Sequence, residues 1–195
     1  MFTGIITHLG KLKQRKNATF TFTADTSLLN KLETGTSIAV NGVCLTVLEK
    51  PRGESFSVDV MPETIKKTNL DGVNENDIVN LELPATADTF LSGHIVQGHV
   101  DAKVKILDIK PEGNSHLFTF ALPKDITRYL VAKGSITVNG ISLTIIDANP
   151  DSFTVGIIPH TWEHTMLHSA KVGDYVNIET DVFAKYVERL LKKTE

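Results

Sequence analysis

One cysteine and seven histidines carry much of the nucleophilic and proton-transfer capacity of this 195-residue chain. Several of them stand at matched places, because the sequence repeats itself. Val40-Asn41-Gly42-Val43-Cys44-Leu45-Thr46-Val47 recurs as Val138-Asn139-Gly140-Ile141-Ser142-Leu143-Thr144-Ile145. Met61-Pro62-Glu63-Thr64 recurs as Ile158-Pro159-His160-Thr161, and Asn76-Asp77-Ile78-Val79-Asn80-Leu81-Glu82 as Gly173-Asp174-Tyr175-Val176-Asn177-Ile178-Glu179. A weaker echo joins Phe2-Thr3-Gly4-Ile5-Ile6 to Val96-Gln97-Gly98-His99-Val100. The frame is kept while titratable groups change: Cys44 becomes Ser142, Glu63 becomes His160 and Ile5 becomes His99. Two sites built this way bind similar ligands and do unlike chemistry on them. Drift after duplication also produces differences, but has no reason to concentrate them at titratable positions. Histidine, with its near-neutral pKa, is the natural proton carrier of such a pair.

The elements that must hold these groups are mostly strands. Ser37 to Val40, Asn41-Gly42 and Val43 to Val47 form a hairpin signal, since Asn-Gly accepts the positive φ angles of a two-residue turn. Ser135 to Val138, Asn139-Gly140 and Ile141 to Ile145 repeat it. Phe20 to Thr23, Phe56 to Val60, Ile78 to Leu83, Leu117 to Leu122, Phe153 to Ile157 and Tyr175 to Glu179 are further strands. Short strands at close spacing predict one small antiparallel barrel per repeat, because closure removes exposed sheet edges. Alternation puts Cys44 and Thr46 on one face, with Leu45 and Val47 opposite, and likewise Ser142 and Thr144 against Leu143 and Ile145. That polar face is either a ligand wall or a barrel exterior facing water. Short helices are expected over Thr26 to Leu32 and Ile126 to Tyr129. Residues 1–90 and 91–180 then form two units joined near Pro84 to Ser92. In 181–195, Phe183, Tyr186, Val187, Leu190 and Leu191 follow helical spacing, with Asp181 as N-cap and Lys192-Lys193 at the end. So short a helix is marginal alone in water. Its apolar face packs on the barrels or, the favoured option, on the same helix of another subunit.

Other classes lose weight. A net charge of −3, from 20 basic and 23 acidic residues, does not suit a phosphate-backbone binder. The cluster Lys11, Lys13, Arg15, Lys16 reads as a solvated face. No apolar run approaches a membrane span, and the N-terminus lacks the pattern of a secretory signal. A lone cysteine excludes an intramolecular disulfide and two-thiolate zinc sites, and suits a reducing, cytoplasmic setting. His94 and His99 point to opposite faces of a strand unless Gly98 marks a bulge, so they are poor ligands for one metal ion. His8, His116, His164 and His168 read as surface or rim. Gly-x-Gly-x-x-Gly, P-loop and Gly-x-Ser-x-Gly patterns are absent.

Met1-Phe2-Thr3-Gly4-Ile5-Ile6, the paired Val-Asn-Gly-x-Cys/Ser-Leu-Thr segments, Gly93-His94 through Gly98-His99-Val100-Asp101 and the repeated x-Pro-x-Thr segments together resemble riboflavin synthase, from Met1 to the terminal helix. The resemblance implies an all-β fold of two six-stranded Greek-key barrels with a C-terminal α-helix. It implies dismutation of two 6,7-dimethyl-8-ribityllumazine molecules, in which one gives the other a four-carbon unit. The products are riboflavin and 5-amino-6-ribitylamino-uracil, and no metal or organic cofactor takes part. It implies a homotrimer assembled through the helices, with each active site shared between the N-terminal barrel of one chain and the C-terminal barrel of a neighbour. Some relatives also associate with a lumazine synthase shell.

Carried over by motif, one lumazine is expected against Phe2, Gly4-Ile5-Ile6, Cys44-Leu45-Thr46 and Asp59-Val60-Met61-Pro62-Glu63-Thr64. The other is expected against Gly98-His99-Val100, Ser142-Leu143-Thr144 and Ile157-Ile158-Pro159-His160-Thr161-Trp162. His99, with His94, is assigned proton transfer, and Cys44 or Ser37 supplies or positions a nucleophile. Ser142 polarises the donor ring, Lys133 stabilises anionic charge and Asp181 orients the polar partners. Two departures from the family pattern stand out: Ser92 replaces a second Gly, and Trp162 replaces an aliphatic residue and is free to stack on a ring or narrow the pocket. The rival reading is a lumazine-carrying protein of the same fold that does no chemistry, and a third is a structural barrel that assembles with partners.

Overall fold

The computed structural model describes residues 1–192. Lys193, half of the expected basic end of the last helix, lies outside the described residues, as does the rest of that segment. The first barrel is built from β1 (His8–Lys16), β2 (Thr19–Thr23), β3 (Ser37–Val40), β4 (Val43–Thr46), β5 (Ser55–Asp59) and β6 (Ile78–Glu82), with helices α1 (Thr26–Leu29) and α2 (Pro62–Lys67). The second uses β7 (Ala102–Glu112), β8 (Ser115–Ala121), β9 (Ser135–Val138), β10 (Ile141–Ala148), β11 (Ser152–Ile157) and β12 (Tyr175–Thr180), with helix α3 (Pro159–His164). Helix α4 (Val182–Leu191) follows. All strand pairs are antiparallel, in the order β4-β3-β6-β1-β2-β5 and, closed, β10-β11-β8-β7-β12-β9. A single bridge, Val47 to Val58, links the ends of the first sheet. The two orders are the same circuit read in opposite directions.

Alternating patterns explain these strands. In β2, Phe20 and Phe22 point inward between three outward threonines. Phe56 from β5 completes an aromatic centre, as Phe118, Phe120 and Phe153 do in the second barrel. Each such ring stabilises by about 1.5–3 kcal/mol on burial. Two long strands were not expected from the sequence. In β1 only Gly10 and Leu12 are buried, and the basic cluster points to solvent, so an apolar pattern barely shows. In β7 only Val104 and Ile106 are buried. Both strands carry a register shift, between Leu12 and Gln14 and between Ile106 and Asp108. The x-Pro-x-Thr segments are helical, with proline at the first helical turn where its missing N–H has no intrahelical partner to lose. α1 ends at Leu29, short of the expected Leu32, and Ile126 only caps a three-residue 3-10 turn over Thr127–Tyr129.

The barrels meet around a local two-fold axis. The Asn41-Gly42 and Asn139-Gly140 turns have positive φ throughout and abut one another. A Cβ on Gly42 would lie 2.6 Å from the backbone N of Gly140. Buried asparagines lace this contact. Asn80 Nδ2 donates to Asn139 O, and Asn177 Nδ2 to Asn41 O, each at 2.9 Å. Asn69 N donates to Asn177 Oδ1 and Met166 N to Asn80 Oδ1, each at 2.7 Å. Phe2 and Val96 pair on the same axis. From there each flanking segment crosses to the opposite barrel. Gly4 O accepts from Ser142 N at 2.7 Å, and Gly98 O accepts from Cys44 N at 2.9 Å. Ile6 packs on the core of the second barrel and Val100 on that of the first.

Helix α4 is capped by Asp181, whose Oδ1 accepts from Phe183 N. Polar groups tether it: Lys185 Nζ lies 2.7 Å from Asp101 Oδ1, and Glu188 meets Arg128 and Tyr129. Its apolar residues Phe183, Tyr186, Val187, Leu190 and Leu191 are exposed. Among the described residues no helix is long and apolar enough to cross a membrane.

Candidate active site

Two cradles form on the outer faces of the hairpins, one per barrel. In the first, Leu45 and Val47 fill the core while Cys44 and Thr46 point outward. The strap Gly98-His99-Val100 covers Cys44, leaving it half-buried, and His99 and Thr46 remain exposed. Ser37 lies opposite Thr46 across the hairpin. Asp59, Met61, Pro62 and Glu63 are exposed at the rim, Val60 is buried and Thr64 half-buried. Asp59 accepts from Thr19 Oγ1, and Glu63 pairs with Lys67 at 2.8 Å.

The second cradle has the same frame with different chemistry. His94 Nδ1 lies 2.7 Å from Ser142 Oγ, and its Nε2 lies 3.1 Å from Thr137 Oγ1. Burial holds the His94 pKa below 6.5, against an opposing pull from the charge of Asp181. A neutral imidazole has one N–H and one bare nitrogen, so one hydroxyl donates to the ring and the other accepts from it. Buried Thr137 therefore fixes the ring and its tautomer, and a proton can pass between His94 and Ser142. Leu143 and Ile157 belong to the core, and Thr144, Ile5, Ile158, Pro159 and His160 are exposed around the cradle. The outward side of each cradle is exposed, at Thr46 and His99 in the first and at Thr144 in the second. Among the described residues no group of three or more His, Cys, Asp or Glu side chains is arranged to hold a metal ion.

The sequence profile of the lumazine binding domain matches twice, over residues 3–84 and 97–181. Riboflavin synthase of Actinobacillus pleuropneumoniae is 45% identical over 99% of this chain and 91% of its own length. That of Bacillus subtilis (strain 168) is 40% identical over 99% and 91%. Crystalline LumP complexed with riboflavin superposes with a TM-score of 0.84 at 26% identity, covering 92% of this chain and 99% of LumP. The chain belongs to the riboflavin synthase family. The duplicated barrels and the C-terminal helix are the architecture that the sequence resemblance implied.

Within this riboflavin synthase frame, the grouping of residues differs from the one expected. Gly4-Ile5-Ile6 lies with Ser142 and the second barrel, not with Cys44, and Gly98-His99-Val100 lies with Cys44 and the first barrel, not with Ser142. Strap crossing is a long-range property, and no local pattern announces it. Within one chain His94 and His99 consequently belong to different cradles. Half-buried Trp162 has one face on His116, with centroids 4.0 Å apart and 15° between planes, and packs on the second core. Phe2 is fully buried, in a small cluster with Ala39 and Val96 against which Cys44 packs, so it lies under the first cradle and not on its open face. Lys133 sits in the exposed turn before β9 with φ of 69°, matching Gly35 in the first repeat, and no hydrogen bond joins its side chain to the His94 group.

Three functional neighbours escaped the sequence reading. Thr137 faces Ser142 across the hairpin, so the Asn-Gly register already placed it there. Its counterpart opposite Cys44 is Ala39, a further difference between the repeats. Glu82 and Glu179, at the ends of the matched β6 and β12 segments, are buried among backbone N–H groups of the straps.

Proposed function

We propose that this chain makes riboflavin by dismutating 6,7-dimethyl-8-ribityllumazine, with one molecule in each type of cradle. A four-carbon unit passes between them, leaving 5-amino-6-ribitylamino-uracil as the second product. The observation that carries this reading is the chemical mismatch of two cradles on hairpins of matched register: Ser142, His94 and Thr137 hydrogen-bonded in one, Cys44 beside an exposed His99 in the other. Identical sites would treat both substrates alike, whereas a dismutation needs a giver and a taker.

In the second cradle, neutral His94, held in place by Thr137, exchanges a proton with Ser142 while Ser142 polarises the bound ring. Asp181, whose charge reaches His94, steadies the imidazole in its charged moments. His99 of the first cradle takes the 7-methyl proton of the lumazine in the second, while Cys44 or Ser37 supplies or positions the nucleophile at C7 of the lumazine in the first. Lys133 offsets anionic charge at the rim. Holding two reactants in register accounts for much of the acceleration, since oriented pairs gain roughly 7–11 kcal/mol over free encounter.

A homotrimer completes the site, the N-terminal barrel of one copy facing the C-terminal barrel of the next. The support is twofold. Small-ligand sites enclose roughly 70–90% of the ligand surface, whereas Thr46, His99 and Thr144 leave the outward side of each cradle exposed in the single chain. The exposed apolar side of α4 flanks a groove of about 580 Å³ lined by Arg128, Tyr129, Val131, Phe183, Val187 and Leu191, where a neighbouring copy fits. Residues 1–90 and 91–180 act as the two lumazine-binding units and α4 (Val182–Leu191) as the assembly helix, in a cytoplasmic protein with one unpaired thiol.

Single-turnover mixing with the lumazine decides the class: two lumazines consumed per riboflavin formed is expected, and binding without flavin absorbance means a carrier. Ser142→Ala is expected to lower turnover by about 10²–10⁴-fold, the range for a lost acid–base group. Unchanged turnover removes Ser142 and its hydrogen-bonded histidine from the mechanism.

A further inference from the structure

Glu82 and Glu179 are 4% and 3% exposed, and among the described residues neither forms an ion pair within contact distance. Burial pushes both pKa values up, and the N–H groups around them pull the other way. A buried carboxylate is costly, so its partners show what it is for. Glu82 Oε1 accepts from Thr3 N and Thr3 Oγ1, each at 2.7 Å, and Oε2 from Gly4 N at 3.1 Å. Glu179 Oε1 accepts from Gln97 N at 2.6 Å, and Oε2 from Gly98 N and His99 N, each at 2.9 Å. In each strap the N–H groups face the carboxylate while a carbonyl, that of Gly4 or Gly98, faces the hairpin of the opposite barrel.

We infer that Glu82 and Glu179 are positioning residues for the reaction, each fixing the cradle of the barrel to which it does not belong. Glu179, on β12 of the second barrel, sets His99 and Val100 against Cys44 in the first. Glu82, on β6 of the first barrel, sets Gly4 to Ile6 against Ser142 in the second. A carboxylate has two acceptor oxygens and no donor, so each glutamate takes three donors of its strap without meeting an N–H with another N–H. This inference rests on the cradles being the lumazine sites.

The test uses Glu179→Gln and Glu82→Gln in the full chain, with Cys44 as reporter. An amide NH₂ turned toward the strap opposes its N–H donors and loosens it. Under a fixed dose of a small thiol reagent, Glu179→Gln is expected to label Cys44 at least tenfold faster than the parent. Glu82→Gln is expected to stay within twofold, although both retain the parent far-UV spectrum. Titration with riboflavin is expected to lose one class of site in each variant, and turnover of 6,7-dimethyl-8-ribityllumazine to fall in both. If Glu179→Gln does not fold, Glu179→Asp, which keeps the charge and shortens the reach, takes its place. Equal labelling rates in folded variants overturn the clamp. Selective labelling with unchanged riboflavin affinity and turnover leaves the clamp intact and overturns the reading of the strap-covered cradles as binding sites.

Discussion

Replacing Gly98 with alanine challenges the strap crossing at its tightest point. The residue has φ of +80°, and an added Cβ would lie 2.6 Å from Cys44 Cβ and 2.9 Å from Cys44 N. The left-handed backbone costs an alanine roughly 1–2 kcal/mol. The contact with backbone leaves no flexible atom to yield, so the strap must lift and Cys44 N loses its acceptor. A buried N–H left unmade costs about 1–3 kcal/mol more. The expected loss is therefore about 2–5 kcal/mol, read from urea unfolding, with riboflavin affinity falling at one class of site. Gly35→Ala is the control. Gly35 has φ of +84° with nothing within 4 Å of the added Cβ, and the matching turn carries Lys133 at φ of 69°. It should lose only the backbone part, about 1–2 kcal/mol. Equal losses in the two variants refute the claim that the strap is seated against Cys44.

Two other expectations concern charge. Because burial lowers the pKa of His94 in the folded chain, the unfolded chain holds more protons between that lowered value and 6.5. This residue's contribution to stability is present above 6.5 and is lost as pH falls through the window, so the stability gap between the parent and His94→Gln should shrink on acidification below 6.5 and stay level above it. Glu82 and Glu179, whose raised pKa values act in the opposite sense above 4.5, remain in both proteins and cancel from the comparison. A gap that grows on acidification contradicts the burial argument. On α4, Leu190→Asp puts a charge on the exposed apolar side, and sedimentation should then report a single chain of 21.4 kDa with turnover reduced more than tenfold. A variant that sediments as the parent does removes α4 from the assembly.

What the sequence disclosed follows the range of the forces involved. The hairpins were legible because Asn41-Gly42 and Asn139-Gly140 need positive φ and their flanks alternate, both local constraints. The cap at Asp181 and the apolar side of α4 were legible for the same reason. β1 was not, since a strand whose outer face is Lys11, Lys13 and Arg15 carries its pattern on two buried residues, Gly10 and Leu12. α2 was missed although Pro62, Glu63 and the late Lys66 and Lys67 spell a helix start and stop. Pairing up the repeats identified Cys44, Ser142 and His99. It did not show that the strap carrying His99 serves the other repeat, because that depends on two carboxylates far away in sequence from the amides they bind. Glu82 and Glu179 stood in the matched segments all along, and an acidic residue at the same end of two apolar strands was the available signal.

The exchange of arms between the halves has a consequence for descent. Each strap seats on the other barrel, so a single barrel with its leading tail makes the same contacts only by exchanging tails with a mate, in a docking that weakens on dilution. Fusion turned that encounter into a tethered one at high local concentration, independent of how much protein the cell makes. It also broke a genetic constraint. Two copies of one gene product present the same pocket twice, and every substitution appears in both; once joined, the pockets were free to acquire Cys44 on one side and Ser142 on the other.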